Sequence, residues 1–137
     1  MEYKLEKKAA EEEFNKWADN FYLDRDIESM DSEEADDFIK IKKQFMLALR
    51  IGRISIDEEG DLTLKLIKPF GDKEELVFAQ EFNSTAFIKM DRHKEKESMK
   101  KTLSFLGGWT KTDPKQLYRL DARDMKLCLS LTTLFLA

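Results

Sequence analysis

The sequence offers one histidine and one cysteine for acid–base or nucleophilic chemistry, His93 and Cys128. His93 lies in the charged run DRHKEKESMKK, and nothing in its spacing ties it to a serine or an acid. It therefore reads as an exposed histidine on a helix and not as the base of a triad. Cys128 falls within MKLCLSLTTLFL, where a neutral buried thiol is expected and an activated thiolate is not. A lone cysteine also excludes an internal disulfide and a cysteine-ligated zinc site. The acidic stretch DEEGD, Asp57 to Asp61, invites comparison with a calcium loop. An EF-hand with its glycine at Gly60 would put Ser55, Asp57 and Glu59 at ligand positions but Leu66 where the bidentate Glu belongs, so a hairpin turn is the better reading. The pair Gly107-Gly108 follows a helical pattern instead of a strand and lacks the lysine of a phosphate loop; it is expected to stop that helix. Trp17 and Trp109, single aromatics near element ends, read as lids on a core. No catalytic residue, cofactor or metal site emerges, and the chain is expected to bind and not to catalyse.

Composition narrows the binding classes. A chain of 137 residues, 42% hydrophobic, can bury a real core. Its net charge of -4 and pI near 5.2 argue against a surface that neutralises phosphates, so nucleic acid is not an expected partner. The run RHKEKESMKK sets Glu95 and Glu97 at spacings that pair with nearby lysines and carries no aromatic ring for stacking on a base. The opening MEYKLEKKAAEEEFNKW has no apolar centre of the kind a secretory signal needs, which predicts a cytosolic protein. From Ala122 onward 16 residues remain, roughly 24 Å of helix against the ~20 apolar residues that span a bilayer, so no membrane anchor is expected.

The elements follow from periodicity. Phe14, Trp17, Ala18 and Phe21 recur at spacings of three and four, predicting an amphipathic helix over Glu2 to Asn20 with its first turns frayed. A loop through FYLDRDIESMDSEE leads to a second helix, capped by Asp31 or Ser32, striped by Phe38, Ile41, Phe45, Ala48 and Leu49, and ended by Gly52. The period then changes to two: Ile54 and Ile56, a turn at Gly60, Leu62, Leu64 and Leu66, a turn at Pro69 and Gly71, and a return strand over Glu74 to Gln80. Asn83 or Ser84 can cap a helix carrying Phe87, Ile88 and Met90, and Leu103, Phe105 and Leu106 either continue it or belong to a second helix after a break near His93. Thr112 or Asp113 before Pro114 caps a short helix with Leu117 and Leu120, and Asp121 caps the last one, with Asp124 in its acidic first turn. The expected fold class is α+β: an N-terminal helical region over residues 1–52, then a three-stranded antiparallel meander and C-terminal helices over residues 53–137, together one compact domain.

The last helix carries more apolar surface than one contact needs. At ~100° per residue, Arg123, Lys126, Ser130, Thr133 and Ala137 share a wet stripe about 80° wide. Met125, Leu129 and Leu136 lie on one flank and Leu127, Leu131 and Leu134 on the other, with Cys128 and Phe135 between. A helix lying on one surface needs little over ~100° of apolar arc. Either the helix is enclosed in the core or one flank meets a partner. The second case is expected to use Leu127, Leu131, Leu134 and Phe135, with Phe87 and Met90 as another surface.

The order of these segments, LTLKLIKPFGDKEELVFAQEF, NSTAF, LSFLGGWT and QLYRLDARDMKLCLSLTTLFL, with FNKWADNFYLD through ALRIGRISIDEEGDLTL before them, resembles the tail assembly chaperones of long-tailed bacteriophages and prophages. The resemblance runs from about Phe14 to Leu136. Its most specific part is the run at Leu117, Leu120, Asp121, Arg123, Asp124 and Met125 leading into an apolar helix. It implies a non-enzymatic protein of the host cell cytoplasm that binds the tape measure protein and helps recruit the tail tube protein; a homo-oligomer is a separate expectation that the resemblance does not supply. The alternatives are a structural tail protein that stays in the virion and an unrelated protein-binding adaptor.

Overall fold

The computed structural model describes residues 2–23, 25–81 and 98–136, without the side chains of residues 98, 135 and 136. The expected helix with Phe87, Ile88 and Met90, and His93 beyond it, lie outside the described residues. The architecture is α+β, with helices at both ends of the chain around a three-stranded antiparallel sheet.

Helix α1 spans Lys7–Asn20 and buries Ala10, Phe14, Trp17 and Ala18, one face of a 3.6-residue period. It starts later than expected because the residues before it are used otherwise. The amides of Lys4 and Leu5 both donate to the Arg50 carbonyl, and the Arg50 side chain donates to the Leu5 carbonyl and lies 4.0 Å from the Tyr3 ring centre. These contacts strap the segment across the end of helix α2, Ser32–Ile51, whose last carbonyls have no partner within the helix. The Asp31 carboxylate accepts the Glu34 amide at 2.8 Å, as its cap position predicts. Gly52 closes α2 at φ +82°, while the Arg53 amide returns to the Ala48 carbonyl at 2.9 Å.

Strands β1, Ile54–Ile56, β2, Leu62–Phe70, and β3, Lys73–Phe78, form the meander in the order β1-β2-β3. The register pairs Ile54 with Leu64, Leu64 with Leu76, and Leu62 with Phe78, so the alternating apolar residues fall on one covered face. Pro69, expected in a turn, lies inside β2 beside the register shift between Lys65 and Phe70. A residue without an N–H is tolerated where the ladder is already interrupted. The turn itself is at Gly71, φ +57°.

Helix α3, Ser98–Thr110, corrects the reading of Gly107-Gly108 as a stop. The helix runs through both glycines and ends at Lys111, which takes the left-handed conformation at φ +54°, and the Thr112 amide reaches back to the Gly107 carbonyl at 3.0 Å. Gly107 serves a close approach, because a Cβ there would lie 2.6 Å from the Thr112 carbonyl oxygen and 3.0 Å from Pro114 Cγ. Asp113 caps the one-turn helix α4, Pro114–Leu117, and α5 runs over Ala122–Leu136 with Asp121 accepting the Arg123 amide at 2.9 Å.

All these elements bury into one hydrophobic cluster, so residues 1–52 and 53–137 share a core. Trp17 and Trp109 are interior residues and not lids: Trp17 packs on Phe14, Phe21 and Phe45, and Trp109 on Phe21, Phe78 and Phe105. The Trp109 indole N–H donates to the Ala79 carbonyl at 2.9 Å, which satisfies its polar atom inside the core. Among the described residues no helix is long and apolar enough to cross a membrane.

Candidate functional site

Helices α2 and α5 pack side by side, and the Ser130 hydroxyl donates to Gln44 Oε1 at 2.7 Å across the seam. Apolar side chains left half-buried or exposed gather on its outer side. Ile41, Leu47 and Ile51 come from α2, Met125 and Leu129 from α5, and Ile67 from β2, with Leu47 and Ile67 each 41% exposed. Three adjoining depressions follow this line. One end is a recess of about 240 Å³ walled by Leu23, Met30, Phe38 and Leu134; the middle lies over Ile41, Met125 and Leu129; the far end is bordered by Leu47, Ile51 and Ile67. Glu34 and Asp37 flank the recess, and Arg53, Arg123 and Lys126 flank the far end. The groove is thus apolar along its floor, with Glu34 at the recess, Asp37, Lys40 and Lys126 around the middle, and Arg53 and Arg123 at the far end.

Of the two flanks of α5, the one expected to meet a partner is the more deeply buried. Leu131 is fully enclosed in the core cluster and cannot meet a partner in this fold, whereas Leu127, 6% exposed and in the same cluster, still lines the far depression beside Leu47 and Ile67. Helix α5 packs on the sheet and α3, which need an apolar cover over their inner surfaces. The side that stays open is the Met125 and Leu129 flank. Leu134 is half-buried in the wall of the recess. The side chain of Phe135, and Phe87 and Met90, lie outside the described residues.

Asp124 anchors this helix. Its side chain has no exposure, and its carboxylate accepts from Arg53 Nη2 at 2.6 Å and from the Ile67 amide at 2.9 Å, with the Lys68 amide at 3.5 Å. The Lys65 amide of β2 donates to the Arg53 carbonyl, but the residues before Arg53 belong to the end of α2, so β1 has nothing to offer the next amide along that edge. The carboxylate takes the place of the missing strand. Arg53 Nε stays buried without a partner. From the sequence Asp124 is a first-turn acid within the Leu117-to-Met125 run, with no counter-charge expected for it. Its position in line with Leu127, Cys128 and Leu131 was the available signal, since a charge on an apolar face demands a buried counter-charge.

The remaining chemistry is structural. Burial pushes the Cys128 thiol up to about 12, so it stays neutral inside the core. The Arg123 side chain beside Asp121 draws that carboxyl down to about 2 and commits both charges to each other. Asp57, Glu59 and Asp61 bring carboxylates within 4.8 Å of one another at the β1–β2 turn. Asp57 Oδ1 there accepts the Glu59 and Asp61 amides at 2.9 and 3.0 Å, and Asp61 Oδ1 accepts the Gln80 amide at 2.8 Å. These bonds, with Gly60 at φ +90°, account for the turn. Comparison of the chain with protein-family models, curated proteins and solved structures returns no match.

Proposed function

We propose that this protein is a non-enzymatic tail assembly chaperone of a long-tailed phage or prophage, acting in the host cytoplasm. It holds an apolar helical stretch of the tape measure protein along the α2–α5 groove and helps bring tail tube subunits to it. The observation that carries the reading is the open Ile41, Leu47, Met125 and Leu129 line beside a seam of helical length. A helix whose apolar residues recur every three or four positions fits such a groove. The client would gain shelter for a face that aggregates in water. Because the groove residues are already partly covered, each contributes only part of the roughly 1.5–3 kcal/mol of a fully buried side chain, which favours contacts weak enough for later displacement. Identification of the client rests on the sequence resemblance.

The test is co-expression with a long helical tape measure protein, which the proposal expects the neighbouring reading frame to encode. Soluble yield of that protein should rise with this chain and fall back with Leu129→Lys, which adds a charge to the groove floor. Equal solubility of the client with and without the chaperone would end the proposal.

A further inference from the structure

We infer that the far end of the groove selects the client by charge, taking the carboxylate of an acidic residue that the client helix carries on the same face as its apolar stripe. The inference rests on the groove reading above and adds to it the charge pattern of the helix that fits.

The three depressions along the seam differ in what borders them. Glu34 and Asp37 border the recess, and Asp37 shares the middle with Lys40 and Lys126. The far depression, of about 260 Å³, has no acidic side chain on its border among the described residues. Its polar side chains are Gln44, Arg53, Arg123 and Lys126, and all four present donors. Gln44 turns its oxygen to the Ser130 hydroxyl, which leaves its N–H groups to donate. Arg53 and Arg123 are balanced by Asp124 and Asp121. Lys126 is exposed and forms no ion pair among the described residues, so its charge stands uncompensated on a molecule of net charge -4.

The floor beneath these donors is Leu47, Ile51, Ile67 and Leu127. An apolar floor keeps water from one side of an ion pair, which makes the pair stronger than one on open surface. It also covers the methylenes of a glutamate whose carboxylate reaches the donors. The apolar residues of the client rest in the middle depression, over Ile41, Met125 and Leu129. Ile41 there and Ala48 in the far depression are seven residues apart on α2, about 10 Å of helix. A client lying along α2 therefore brings an acid to the far depression when that acid stands two turns from an apolar anchor on the same face.

Fluorescence anisotropy of the full chain with labelled amphipathic helices of about 20 residues, roughly 30 Å long, tests this. Each peptide has one leucine stripe, with Glu, Gln or Lys two turns from its central leucine, toward one end or the other in separate peptides. An isomer of each Glu peptide carries that residue on the polar face instead. In one of the two directions the Glu peptide should bind roughly tenfold tighter than the Lys peptide, with the Gln peptide and the isomer between them. Lys126→Glu should invert the order of the Glu and Lys peptides and leave the Gln peptide nearly unchanged, with circular dichroism verifying that the variant is folded. Equal binding of the Glu, Gln and Lys peptides overturns the inference while the groove reading stands. So does a Glu preference that survives Lys126→Glu or that the isomer matches. A depression that binds laurate and does not distinguish the peptides is a fatty-acid site, which also overturns the inference. A chain that binds none of the peptides removes the groove reading and the inference together.

Discussion

Asp124 joins three elements through a single carboxylate: its own helix, the β2 edge and the Arg53 guanidinium. Asp124→Ala should destabilise the fold by about 3–5 kcal/mol, since it strands a largely buried arginine and an edge amide together. Urea unfolding measures this directly, and a loss below about 1 kcal/mol would reduce the pair to a surface ion pair. Asp124→Asn should fall between, because one acceptor oxygen survives. Tyr22 shows the opposite case. It occupies the left-handed position that closes α1, at φ +55°, with the Leu23 amide bonded to the Ala18 carbonyl at 3.0 Å. Gly52 fills the same position after α2. Tyr22 is 96% exposed, so Tyr22→Gly should raise stability by about 1 kcal/mol by removing strain at no cost in packing. An unchanged or lower urea midpoint would mean that the ring makes a contact its exposure conceals.

Local chemistry fixed most element ends. Asp31, Gly52, Asp113 before Pro114, and Asp121 all cap where their residue types predict, because each cap bonds to a neighbour a few positions away. The strands were legible for a similar reason: Leu62, Leu64 and Leu66 alternate at the period of a half-buried sheet. Three features were set from a distance and escaped local reading: the strap of residues before α1, Pro69 inside β2, and Gly107 inside α3. Gly107 gives the sharpest test. A glycine to alanine change inside a helix ordinarily stabilises by roughly 0.5–1 kcal/mol. Here the new Cβ would meet the Thr112 carbonyl oxygen at 2.6 Å, an atom fixed in the helix-ending turn. Gly107→Ala should therefore destabilise by about 1–3 kcal/mol. A gain in melting temperature would show that the turn yields and the close approach is incidental.

At the scale of the molecule, the helices and the sheet share one hydrophobic cluster and should unfold as one unit. Cys128 reports on this, being fully enclosed, with burial raising its thiol from an ordinary 9.0 to about 12. Alkylation at pH 8 should be slow and track global opening, and Asp124→Ala should speed it. Rapid labelling of the native protein would mean that α5 detaches locally. The same raised value makes the contribution of the neutral thiol to stability complete below pH 9 and lost as the pH climbs toward 12. The sequence alone determined the α+β class, the meander, the caps and an apolar excess on the last helix, because these depend on residue type and on period along the chain. Only the tertiary structure decided which flank of α5 is hidden. A helical wheel gives the width of an apolar arc but not its direction, and the direction follows from the inner face of the sheet and the buried Asp124–Arg53 pair, which turn Leu127 and Leu131 inward and leave Met125 and Leu129 at the open seam.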